Sequence, residues 1–132
     1  ATNVLYQHQI AYNAVNTYEW SAFHESGSGV NSSVTTAFAA SLLPAGVFNH
    51  ICFVRDATAN TYSLYINGRI VGTAVSYGAN DPSGGGSSVY NYNRNPATSD
   101  VANRASSSDE IAIYNTALSA ARIFEHYRAG RR

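Results

Sequence analysis

Apolar and polar residues alternate along much of this chain, which is the period of strands that bury one face. Eight stretches carry the pattern or its β-branched and aromatic enrichment: residues 4–10, 18–24, 29–36, 49–55, 62–66, 69–75, 88–92 and 109–114. In the second, Tyr18, Trp20 and Ala22 share one face while Glu19, Ser21 and Phe23 share the other. The fourth differs, because Ile51, Cys52, Phe53 and Val54 are apolar on both faces. Such a run predicts a central strand covered on both sides.

Turn chemistry separates the stretches. Asn67-Gly68 offers the two positive-φ positions of a type I′ hairpin. Leu43-Pro44-Ala45-Gly46 predicts a turn, and residues 81–87, with three consecutive glycines, predict an irregular loop. After the last predicted strand the period changes. Ser119 is a good N-cap, Ala120 and Ala121 are strong helix formers, and Gly130 suits the C′ position. Leu118, Ile123 and Tyr127 would dock this single helix on a sheet.

Four blocks of sequence resemble a known family. The first is Asp109-Glu110-Ile111-Ala112-Ile113-Tyr114 with its following helix; the second is Phe48-Asn49-His50-Ile51-Cys52-Phe53-Val54-Arg55-Asp56. The hairpin around Asn67-Gly68 and the run Tyr90-Asn91-Tyr92-Asn93-Arg94-Asn95-Pro96 complete the set. In residues and order along the chain they resemble the laminin-G/pentraxin-like jelly roll of the concanavalin A-like lectin and glucanase superfamily. The resemblance implies an all-β antiparallel sandwich with one short C-terminal α-helix. It places the first residues mid-domain, so the expectation is a single domain, residues 1–132, that lacks its N-terminal strands and belongs to a longer polypeptide.

Composition narrows the chemistry. Eight acidic and eight basic residues leave the 132-residue chain formally neutral, without the field that nucleic-acid binders use. Every basic residue is Arg, which excludes a P-loop or Schiff-base lysine. Cys52 is the lone cysteine, so no intrachain disulfide forms. No apolar run approaches the roughly 20 residues of a membrane span.

The candidate sites follow from residue type. Glycosidases of this superfamily alternate carboxylates along one strand, whereas Asp109 and Glu110 are adjacent and point to opposite faces. Their expected role is structural, as is that of Asn67 and Gly68. For Ca²⁺, the one candidate cofactor, Asp81 and Asp100 are the candidate ligands; the alternative for both is an Asx turn. For a sugar, Tyr90, Tyr92 and Trp20 offer aromatic platforms and Asn91 and Asn93 offer amides, although such aromatics also serve as core or interface residues. The expectation is a non-catalytic recognition or adhesion module of an extracellular or virion-surface protein, such as a phage tail or capsid component. It would bind a glycan or a surface protein and pack against the upstream part of the same polypeptide or other subunits of an assembly, with no nucleic acid and no membrane span. The alternatives are a purely structural decoration domain and a glycosidase fragment with its catalytic residues upstream.

Overall fold

The computed structural model describes residues 6–25, 31–78 and 109–131. Within them, two antiparallel sheets pack face to face and one helix closes the chain. Sheet one is β1 (Tyr6–Ala14), β2 (Thr17–Glu25) and β3 (Asn31–Ala39), in that order. A tight turn at Val15-Asn16 joins the first pair, with Asn16 at φ 60°. Their register runs from Tyr6↔His24 to Ala14↔Thr17 and slips by one residue between Tyr12 and Ala14. Sheet two holds β4 (Ile51–Asp56), β5 (Thr61–Ile66), β6 (Arg69–Ile70) and β7 (Val75–Ser76), with β5 bonded to all the others.

The alternation in β2 does what its sequence predicts. Trp20, Ala22 and His24 turn inward and are buried, and Val34 and Phe38 of β3 join them. From sheet two come Tyr62, Leu64 and Ile66, with Val71 and Tyr77 from the connections. Burying a side chain of this size contributes on the order of 1.5–3 kcal/mol, so this shared layer holds the sheets together.

Among the described residues β4 pairs only with β5, and its core-facing Ile51 and Phe53 are 40% and 37% exposed. Two expectations need correction. Residues 109–114 form no strand, and Ile111 and Ile113 are exposed. Alternation there meets no pairing partner among the described residues, and Glu110 sits at φ 55°, outside the β region. The stretch 69–75 is broken into β6 and β7 at Gly72, where φ is 66°. The predicted strand 88–92 and glycine loop 81–87 lie outside the described residues.

Helix α1 (Ala120–Ala129) begins as its sequence predicts, with the Ser119 hydroxyl accepting from the Arg122 N–H at 3.3 Å. Its far end is capped by Gly130 in the right-handed region, φ −74°, so glycine's left-handed freedom is not used there. Ile123 is the fully buried contact of α1, and Leu118 and Tyr127 are half-buried beside it. No helix among the described residues is long and apolar enough to cross a membrane.

Candidate functional site

The hairpin between β5 and β6 fixes the site. Asn67 and Gly68 take φ of 52° and 78°, the left-handed pair that a type I′ turn requires. The Asn67 side chain then ties this turn to the preceding loop. Its Oδ1 accepts from the His50 N–H at 3.0 Å, and its Nδ2 donates to Asn49 Oδ1 at 3.0 Å. Asn49 in turn donates to the carbonyls of Pro44 and Val47. Turn and loop are therefore one unit.

Helix α1 seats on that unit because Gly68 has no side chain. A Cβ at position 68 would lie 2.8 Å from Phe124 Cδ2 and 3.0 Å from Tyr127 Cδ1. Between the helix, the hairpin and the loop lies an open groove of about 560 Å³. Leu42, Ile70 and Phe124, each about two-fifths exposed, supply apolar walls, and Tyr127 adds a second ring. Ser41 and Asn67 contribute neutral polar groups. The charged lining residues are Arg69 from β6, Arg128 from the last turn of α1 and Arg131 just beyond it. None of the three pairs with a carboxylate among the described residues, while Arg122, elsewhere on the helix, pairs with Glu125 at 3.1 Å. The Arg131 guanidinium lies 5.5 Å from the centre of the Tyr127 ring, a cation–π contact that leaves its edge N–H groups free of the ring.

Behind Tyr127 sits a second cluster of polar rings. His50 lies 6.2 Å from Tyr127, and Tyr114 meets His126 at 3.4 Å between Oη and Nδ1. Partial burial, and next the charge of His126, lower the His50 pKa. A neutral His50 is thus favoured behind the groove.

The residues predicted from sequence are distributed differently. Trp20 is fully buried in the core and offers no face to a sugar, which corrects its assignment as a platform. It stacks at 6.4 Å on His8, whose ring also lies 4.7 Å from Phe53. Tyr90, Asn91, Tyr92 and Asn93 lie outside the described residues, as do Asp81 and Asp100, the candidate Ca²⁺ ligands. Among the described residues no group of three or more His, Cys, Asp or Glu side chains gathers as a metal site. Asp109 and Glu110 are exposed, and Asp109 Oδ1 accepts from the Glu110 N–H at 2.9 Å. The thiol of Cys52 is pushed up by burial, so it stays protonated and chemically quiet.

Sequence reasoning missed Arg69, Arg128 and Arg131. One signal was available: Tyr127 and Arg128 lie three and four residues after Phe124, which places all three along one helix face, and Arg131 lies three residues after Arg128.

A laminin G-type family model, described as the concanavalin A-like lectin/glucanases superfamily, matches residues 5–124. The chain belongs to that superfamily, which includes both lectins and glycosidases. Arg128 and Arg131 lie beyond the matched residues. No curated protein and no solved structure matches the chain significantly.

Proposed function

We propose that this concanavalin A-like domain is a non-catalytic recognition module that binds saccharide in the groove between α1 and the β5–β6 hairpin. The observation that carries the proposal is the make-up of the groove. Half-exposed rings stand beside guanidinium, amide and hydroxyl groups, and among the described residues no carboxylate lines it. Sugars present apolar C–H faces that suit rings and hydroxyls that suit such donors. Glycoside hydrolysis instead needs a pair of carboxylates flanking the bond, roughly 5 to 9.5 Å apart. The setting we infer is a larger extracellular or virion-surface protein, such as a phage tail or capsid component, in which the domain serves adhesion.

A purely structural interaction domain is the second reading, favoured by one observation. Val47, Phe48, Ile111 and Ile113 are each more than half exposed, and large exposed apolar groups often mark protein contacts. A glycan array probed with the chain, followed by incubation with the bound glycans, tests the proposal. Retention of saccharide without cleavage is expected. Cleavage products would make the domain an enzyme. Failure to retain any saccharide, with stable self-association or capture of a protein neighbour, would favour the structural role.

A further inference from the structure

The groove holds three arginines in a chain with no net charge. Arg128 alone has an ordinary explanation, since cations in the last turn complement the negative end of the helix dipole. That account does not reach Arg69, which comes from β6 across the groove. Nor does it need Arg131, which follows the helix and is held against the Tyr127 ring. Like charges brought to one groove repel unless something anionic joins them. Among the described residues no carboxylate of this chain does so.

From this juxtaposition we infer that the groove is an oxyanion-binding site. Resting on the saccharide proposal, its ligand is an acidic sugar, with a carboxylate or sulfate ester between Arg69 and the Arg128–Arg131 pair and the sugar face on Phe124 or Tyr127. A guanidinium presents a fork of N–H donors that matches two oxygens of one such group, a geometry lysine cannot offer. The groove is open to solvent, so each contact contributes modestly and the three act together.

The test uses the 132-residue chain and four probes: a uronate-bearing oligosaccharide, a sulfate ester on the same backbone, the neutral backbone, and inorganic sulfate. Binding of the saccharides is measured by calorimetry, and that of sulfate by amide shifts in NMR. At least one acidic form should bind on the order of tenfold or more tightly than the neutral backbone, since hydrogen bonds to charged groups are the stronger kind. The better of the two identifies the source of the oxyanion. Raising salt should weaken this binding, and Arg69→Gln and Arg131→Gln should each lower it by roughly three- to tenfold. Both side chains are exposed, so circular dichroism of the variants should be unchanged. Equal affinity for neutral and acidic forms, or indifference to both substitutions, overturns the oxyanion site while leaving saccharide binding in place. Sulfate shifts confined to the groove, with no saccharide bound, support the oxyanion site and overturn the saccharide proposal. Binding of neither sulfate nor acidic sugar overturns the inference.

Discussion

Two regions of this domain combine aromatic rings with nitrogen-bearing side chains, and they do opposite things. Between the sheets, His8 is stacked on Phe53 and meets Tyr62 edge-on, while His24 Nδ1 hydrogen-bonds the Tyr62 hydroxyl at 2.7 Å. Tyr77 packs against both His24 and Tyr62. In the groove, Phe124 and Tyr127 accompany Arg69, Arg128 and Arg131. Burial decides the difference. His8 is desolvated, its Nδ1 has no hydrogen-bond partner among the described residues, and its pKa is lowered to about 4, so it is held as a neutral packing group. The groove arginines keep their hydration and remain available to a ligand. Residue type alone therefore does not mark a site; the water around it does.

The sharpest way to break the groove without touching the core is Gly68→Val. A β-branched side chain would meet φ near 78° and collide with Phe124 and Tyr127. Backbone strain and overpacking each cost on the order of 1–3 kcal/mol. The combined loss should lower the melting temperature and release α1, which amide exchange across 120–129 would detect. Unchanged protection of those amides would mean the helix is not seated on the turn.

The core is broken from within by acid. Because the folded pKa of His8 is depressed, the unfolded chain binds the extra proton between pH 6.5 and about 4. Stability is therefore full above pH 6.5, falls as the pH drops through that window, and levels off below about 4. The whole step is on the order of 3 kcal/mol, and His50 adds a loss of the same sign. Urea titrations of the parent and His8→Phe at several pH values should show the variant with a shallower fall. Identical pH profiles would remove His8 as the cause.

A smaller effect is expected from Tyr62→Phe, which keeps the ring and deletes its hydroxyl from the buried bond to His24. A loss of about 1–2 kcal/mol is expected, with groove binding unaffected. Equal losses in binding would mean that the buried ring cluster and the groove are coupled.

The contrast also explains what could be foreseen. Local chemistry was legible: Asn67-Gly68 turns as its residues demand, Ser119 caps α1, and Trp20 and Ala22 share one face of β2. These depend on a few adjacent residues. Whether a ring faces core or solvent depends on the opposite sheet, so Trp20 could be placed on a face but not excluded as a platform. Residues 109–114 went astray for the same reason, since strand pairing is non-local. The groove needs residues 41–44, 66–71 and 124–131 to converge, and no single stretch announces that.

The most direct measurement is an NMR titration of the assigned chain with the acidic oligosaccharide that binds best. Amide and side-chain shifts should concentrate at Asn67, Arg69, Phe124, Tyr127 and Arg131, and leave Trp20, His24 and Tyr62 in place. Saturable shifts centred elsewhere, with those five residues silent, would contradict the groove as the ligand site.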